Sequence, residues 1–364
     1  HPVAHSFPTR RSSDLLSNLL PLILERVQKA GIPPEKIEFL IASGTHKHIG
    51  SDAYSDLLGE NIAGKYPITE HNPDEGNISI GTTSRGTEVI VNRKVIEAER
   101  VLAVGGMLPH YFAGYGGGPK LIVPGCSARE TIRRNHTMSL HLEDDWQPGR
   151  GAWNLQNNRL IQDIIEAVRL LPPVFYVGII LGEKNIPHRI AAGEIVDTYR
   201  KLAGIAGKMF GIPLDQPYDL VILSPGGHPK DIDLLQSHKS LFHASAALKE
   251  GGMMLVLAEC PDGVGSKTLE ELINTGSLEN CIDRLKQGYI VNGQAAVSLF
   301  KMGRMFDVRI LSKLGNFVLN SLEFRRIGDA REISALLKTA VRSGQRTALF
   351  LAASITICRQ PGEY

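Results

Sequence analysis

The stretch AGYGGGPKLIVPG, Ala113 to Gly125, sets a single amine, Lys120, among glycines and two prolines. Glycines let a backbone approach a ligand closely, and a lysine held among them can serve as a nucleophile or a point charge. A phosphate-cradling loop needs glycine before its lysine and Ser or Thr after it. Pro119 and Leu121 stand there instead, which excludes that chemistry. GGMLPH, just upstream, lacks the glycine spacing of a dinucleotide fingerprint, which argues against an ordinary nicotinamide dehydrogenase. The spacing also fits a tight turn carrying a solvated lysine.

Of the twelve histidines, His46 in GTHKH and His110 in GGMLPH each follow an apolar run and a glycine-containing turn. Imidazoles at strand ends can act as acids and bases near neutral pH. His188 and His243 lack that setting, and beyond the leader no HxxxH or CxxC spacing marks a closed zinc site. His136, at the end of SARETIRRNH, is an isolated metal-ligand candidate. In LLQSHKS, Gln236 and Lys239 lie three apart on one helix face, an amide donor beside a cation, which suits a carboxylate and equally fits a solvated surface. His228 and His238 carry no substrate role in this reading.

These side chains need strands to end beneath them. LSNLLPLILERVQKA has helical apolar spacing, KIEFLIAS reads as a strand, Ser51 is placed to cap a helix, and TEVIVNR and RVLAVGG read as further strands. Ser127 with Glu130 forms a capping-box pattern for the helix bearing His136. A polar connector, DDWQPGRGAW, precedes a helix from about Leu155, the strand VFYVGIILG and a helix from about Val196. GIPLDQPYD reads as a linker, and LVILSPGG opens a second run of alternating elements ending near TALFLAAS. The expected fold is α/β: two α/β domains with mainly parallel sheets and an active-site cleft between them. The expected boundaries are a leader over 1–14, a cofactor-binding domain over 15–210, a second domain over 211–345, and a final strand and tail over 346–364 returning to the first domain.

Composition narrows the classes further. At 364 residues, 43% hydrophobic and 21% charged, the chain can bury sizeable cores. A net charge of +2 without a long basic block argues against nucleic acid or an anionic membrane as partner. The apolar runs fall short of the roughly 20 residues a membrane helix needs. Four cysteines without paired spacing read as reduced thiols in a cytoplasm. HSFPTRRSSDL, His5 to Leu15, fits neither a signal peptide nor a periodic element. It resembles a translated sequencing adapter, so a foreign leader ahead of Leu15 is expected, with a native disordered tail as the alternative.

Together, GTHKH, PHYFAGYGGGPKLIVPG, TIRRNH, LSPGG and QSHK resemble the nickel-dependent lactate racemase family in order and separation, and AECPDGVGS resembles a further turn of that family. The resemblance covers nearly the whole chain from Leu15. It implies a racemase or epimerase of a 2-hydroxy acid. It further implies that Lys120 tethers pyridinium-3,5-bisthiocarboxylic acid mononucleotide, whose ring carbon and two sulfurs hold nickel as a pincer. His136 matches the protein ligand to nickel, His46 and His110 the two acid/base histidines, Gln236 and Lys239 the substrate-binding pair, and Gly116, Gly117 and Gly118 the cofactor-binding loop. Implied partners are a small 2-hydroxy acid and cofactor-maturation enzymes.

The chain departs from the family at three places. The Asp-x-Thr-Arg-Pro motif, whose arginine binds substrate, is replaced by the leader, which puts the activity of this chain in doubt. Leu235 stands where lactate-acting members can have tyrosine, which puts lactate itself in doubt. Pro119 changes the stiffness of the lysine loop. The alternatives are a non-enzymatic ligand-binding protein on the same fold and a hydrolase holding zinc with His46, His110 and His136.

Overall fold

The computed structural model describes residues 10–46, 48–140, 149, 153–182 and 186–359. Most of the polar connector and part of the leader lie outside these. Backbone contacts divide the chain into two units. The first takes residues up to 108, 116–135 and 161–204; the second takes 109–115, 136–160 and 205 onward. The sequence suggests a crossing near residue 210 and a return after residue 345, whereas the chain passes between units several times before residue 205 and belongs to the second unit from there on.

Helix α1 (Arg10–Lys29) begins within the stretch read as a leader. Its Leu20 and Leu24, one turn apart, pack with Leu58, Ile62 and Tyr66, which is why the apolar spacing becomes a helix. Strand β1 (Phe39–Ile41), helices α2 (Tyr54–Leu58) and α3 (Glu60–Ala63), and strand β2 (Ile68–Glu70) follow, with β1 and β2 parallel. Ser51 does not cap a helix with its side chain. It opens a short 3-10 turn, and the Glu70 carboxylate accepts from the amides of Ile49 at 3.0 Å and Gly50 at 2.9 Å instead.

Strands β3 (Asn77–Thr82) and β4 (Glu88–Asn92) form an antiparallel hairpin, followed by α4 (Arg93–Glu97) and β5 (Val101–Gly106). The short hairpin β6 (Pro109–His110) and β7 (Gly114–Tyr115) belongs to the second unit. Next come α5 (Arg129–Thr137), α6 (Arg159–Val168), β8 (Val174–Leu181), β9 (Pro187–Glu194) and α7 (Ile195–Phe210). β8 pairs parallel with β5 and antiparallel with β9. The sequence does not announce β9 because most of its residues are exposed and few are apolar. β8 is the reverse case: Val174, Tyr176, Val177, Ile179 and Ile180 are buried, each Val or Ile contributing about 1.5–3 kcal/mol.

Ser127 does not act as the cap of α5. The neighbouring Cys126 and Ala128 are bound to β4, through Asn92 N–H to Cys126 O and Ala128 N–H to Ile90 O, both at 2.8 Å. That pairing leaves the buried Ser127 hydroxyl donating to Ile122 O at 2.9 Å.

In the second unit, β10 (Gly211–Pro213) and β11 (Tyr218–Leu223) lead into α8 (Leu234–Ser245) and β12 (Leu248–Leu257). Helices α9 (Lys267–Ile273), α10 (Leu278–Lys286) and α11 (Gly293–Met305) precede β13 (Asp307–Leu311), α12 (Asn316–Ser321), β14 (Arg325–Arg326) and α13 (Ala330–Arg342). β15 (Thr347–Phe350) and β16 (Ile357–Arg359) close the described chain. Five parallel strands form one sheet in the order β14-β13-β12-β11-β15, and β16 pairs with β10. The final segment therefore joins the second unit, because TALF lies beside the apolar β11 and continues its sheet. The expected class, α/β with mainly parallel sheets, is the one observed. No described helix is long and apolar enough to cross a membrane.

Candidate active site

Three glycines precede the lysine in the first unit's loop, and two have left-handed backbones, Gly117 with φ 73° and Gly118 with φ 54°. A Cβ on Gly117 would stand 2.5 Å from Gly106 O and 2.7 Å from the Tyr176 hydroxyl; on Gly118 it would stand 2.5 Å from the Tyr199 ring. Glycine is thus required at both by the protein's own packing. Gly116 differs: the nearest atom to its Cβ position is Leu108 O at 3.8 Å. Lys120, half-buried on the turn Gly118–Leu121, is held by its backbone. Its N–H donates to Gly117 O at 3.2 Å, and its carbonyl accepts from Gly125 N–H at 3.0 Å.

Gly125 also accepts, at its carbonyl, the amide of Gly44 at 2.9 Å. This bond joins the lysine loop to the loop after β1 that carries the exposed His46. Lys120 and His46 therefore rise from loops laced together within one unit.

In the second unit, the hairpin residues His110, Tyr111 and Phe112 form an aromatic group with His136. The His110 ring stacks on Tyr111, with centroids 5.5 Å apart and planes 8° apart. Phe112 meets His110 edge to face at 4.4 Å and His136 at 5.4 Å, so one phenyl ring contacts both imidazoles. The Ala113 amide donates to His110 Nδ1 at 3.4 Å, an arrangement that places the proton of the neutral ring on Nε2. Asn158 Nδ2 donates to Phe112 O at 2.8 Å and fixes the hairpin's backbone.

Tyr111 and Phe112, which sequence spacing did not single out, are the rings that contact these histidines. Tyr111 is buried. Its hydroxyl accepts from Gln294 Nε2 at 3.1 Å, and burial holds its phenol well above the ordinary range. Its ring also meets His238 at 5.0 Å. His238 is fully buried, neither ring nitrogen has a hydrogen-bond partner, and burial, with Lys239 and His243 nearby, pushes its pKa down to about 3. It is a neutral packing group at physiological pH.

Helix α8 presents Gln236 and Lys239 to each other, with Lys239 Nζ donating to Gln236 Oε1 at 2.7 Å. Asp233 caps this helix by accepting from the Gln236 amide at 2.7 Å. Two more of its first amides, on Leu234 and Leu235, donate to Gly263 O and Val264 O of the CPDGVGS turn, at 2.9 and 3.2 Å. A Cβ on Gly265 would fall 2.1 Å from the Asp233 carboxyl carbon, so the turn's glycine makes room for the cap. Burial draws the Lys239 pKa down, and the Asp233 carboxylate opposes that shift.

The structure thus gathers His46 with Lys120 in one unit, and His110 with His136, and Gln236 with Lys239, in the other. Among the described residues, no group of three or more His, Cys, Asp or Glu side chains is arranged to hold a metal ion. The four cysteines are free and buried, and burial pushes the Cys126 thiol up to about 12.

Sequence models of the lactate racemase N-terminal and C-terminal domains match residues 5–147 and 214–295, together more than half of the chain. The chain belongs to the lactate racemase family. A lactate racemase of Thermoanaerobacterium thermosaccharolyticum is 29% identical over 250 residues, covering 68% of this chain and 57% of the relative. That of Lactiplantibacillus plantarum is 27% identical over 251 residues, covering 68% and 58%. The chain thus matches less than two thirds of these family members' length. The lactate racemase apoprotein structure from T. thermosaccharolyticum superposes with a TM-score of 0.86 at 22% identity, covering 96% of this chain and 84% of that one. A Thermotoga maritima protein superposes at 0.69 and 15% identity, covering 95% and 89%. Those likenesses establish a shared fold.

Proposed function

We propose that this chain is a racemase or epimerase of a small 2-hydroxy acid, working with a nickel-pincer nucleotide tethered to Lys120. The observation that carries the reading is the Phe112 ring, which contacts both His110, read as a proton-transfer group, and His136, read as the metal ligand. The curated relatives, both lactate racemases, support the reaction class.

The donor set fits the group. His136 offers an imidazole, a good nickel ligand, and among the described residues no cluster of three or more His, Cys, Asp or Glu side chains is arranged to hold a metal on protein ligands alone. A site without such a cluster suits an ion whose other ligands arrive on an organic frame. It does not suit a zinc hydrolase, which needs three protein ligands. Lys120 supplies the amine for attachment, and Gly116 leaves open backbone in the same loop. When bound, the nucleotide supplies a reversible hydride acceptor.

The chain's own residues manage the proton and the substrate. Abstracting the C2 proton would leave an unstabilised carbanion beside a carboxylate, so the base works at the hydroxyl oxygen. His46 takes that proton from one enantiomer, and His110, already protonated, gives one to the oxygen when the planar 2-keto acid is reduced on its opposite face; in the reverse turnover the two histidines exchange roles. As a base at Nε2, neutral His110 must carry its proton on Nδ1; as the acid, it is the imidazolium, protonated on both nitrogens, that donates from Nε2. Gln236 and Lys239 bind the carboxylate or the developing carbonyl oxygen. The free, buried thiols agree with a reducing, cytoplasmic setting.

The test is mass analysis of the Lys120 peptide from chain co-produced with cofactor-making enzymes, followed by a screen of hydroxy acids for deuterium retention at C2. A modified Lys120 and retention of the label are expected. An unmodified Lys120 with zinc on the histidines overturns the reading.

A further inference from the structure

Asp163 is fully buried on α6, and its carboxylate is surrounded by neutral donors. Thr83 Oγ1 donates to Oδ1 at 2.6 Å, while Thr87 Oγ1 and Asn135 Nδ2 donate to Oδ2, each at 2.8 Å. Removing a carboxylate from water is expensive unless such charge-assisted bonds replace the lost hydration. The two threonines flank the β3–β4 turn, and Asn135 is the residue immediately before His136. The same turn grips both helices again. The Ser84 hydroxyl donates to Glu166 of α6 at 2.7 Å, and Arg134 of α5 donates to Arg85 O at 3.2 Å.

Helix α5 has a second anchor on the same face. Thr131, one turn before Asn135, accepts the Ile90 amide at 2.9 Å and donates to Glu88 O at 2.6 Å. Residues four apart share a face, whereas consecutive residues diverge by about 100°. Thr131 and Asn135 therefore fix the rotation of α5 about its axis, and that rotation sets where the next residue, His136, aims. An apolar contact would hold the helix without fixing its rotation so narrowly.

We propose that Asp163 is a positioning residue for the metal ligand: through Asn135 it locks the last turn of α5 and so the aim of the His136 imidazole. The proposal rests on the reading of His136 as the nickel ligand given above. Neither Asp163 nor its threonines touch substrate or metal in it; they act through Asn135.

The experiment compares the chain co-produced with the cofactor-making enzymes as wild type, Asp163→Asn, Thr87→Val and His136→Ala. Nickel loss to an excess chelator is timed in each, circular dichroism monitors the fold, and the mass of the Lys120 peptide reports the tether. Expected is nickel loss about tenfold faster or more in Asp163→Asn, a scale typical of groups that support metal ligands, with a smaller acceleration in Thr87→Val. The tether should persist in both, and loss should be fastest in His136→Ala. Thr87→Val carries the test if Asp163→Asn does not fold. In unloaded chain, Asp163→Asn should also shift the His136 ring resonances and leave those of the exposed His188 in place. Wild-type nickel retention in both Asp163→Asn and Thr87→Val, with rapid loss in His136→Ala, overturns the role of Asp163 alone. Wild-type retention in His136→Ala overturns the ligand reading and this proposal with it.

Discussion

The amide of Gly44 donates to the carbonyl of Gly125 at 2.9 Å, and through that bond the His46 loop and the Lys120 loop share one backbone scaffold. Gly125 tolerates no side chain, since a Cβ there would lie 2.3 Å from Leu121 O and 2.9 Å from the Ala42 Cβ. Replacing Gly125 with alanine should therefore separate the two loops. The expected outcome is an overpacking cost of about 1–3 kcal/mol in denaturant unfolding, with reduced modification of Lys120 by mass spectrometry.

Gly118→Ala tests a different surface of the same loop. The added methyl would enter the Tyr199 ring at 2.5 Å and sit on a left-handed backbone, so strain and overpacking combine. A loss of about 2–4 kcal/mol is expected, read as a lowered unfolding midpoint. Gly116→Ala, with its nearest neighbour at 3.8 Å, should cost less than about 1 kcal/mol.

Tyr111 and Gln294 form a buried pair, and breaking one side should cost more than removing both. Tyr111→Phe strands the Gln294 amide at about 1–3 kcal/mol, and Gln294→Leu strands the phenol similarly. The double variant should fall well short of the sum of the two, as a double-mutant cycle by urea unfolding would show. Additive losses would mean that the bond contributes nothing in solution.

His238 should make the second unit acid-labile. Its folded pKa, about 3, lies far below the ordinary histidine value of 6.5, so the unfolded chain binds the proton first as pH falls. The stability from its neutral burial is present above pH 6.5 and is lost as pH drops from 6.5 toward 3. His243, pushed down to about 4 mainly by burial, acts in the same direction. Urea midpoints measured from pH 7 to pH 4 should decline less steeply in His238→Leu than in the wild type.

Lys120→Arg keeps the charge and removes the reactive amine. The variant should fold with wild-type circular dichroism and show no adduct on the corresponding peptide. An adduct that survives the change would place the attachment on another residue.

Much of the architecture was legible in the sequence because burial imposes periodicity. The apolar runs that became β5, β8 and β11, the helical apolar spacing of α1 and the helix that became α7 were visible. β9 was not, because an exposed edge strand needs no apolar alternation. The caps assigned to Ser51 and Ser127 also failed. A serine before a helix signals a cap only when no better partner exists, and here Glu70 and the β4 pairing intervened.

The candidate site divides the same way. Lys120, His46, His110, His136, Gln236 and Lys239 could be named from their types and their places after strands and glycines, because reactive groups and turn residues are local properties of the chain. What only the tertiary structure decided is who stands behind them. Phe112 against His136, Gln294 on Tyr111, Asp163 on Asn135 and Gly265 beneath Asp233 join residues between 24 and 183 positions apart. Contacts at such separations leave no periodic trace, since each depends on how distant elements pack. The sequence alone determined which groups could react; the packing determined how those groups are held and aimed.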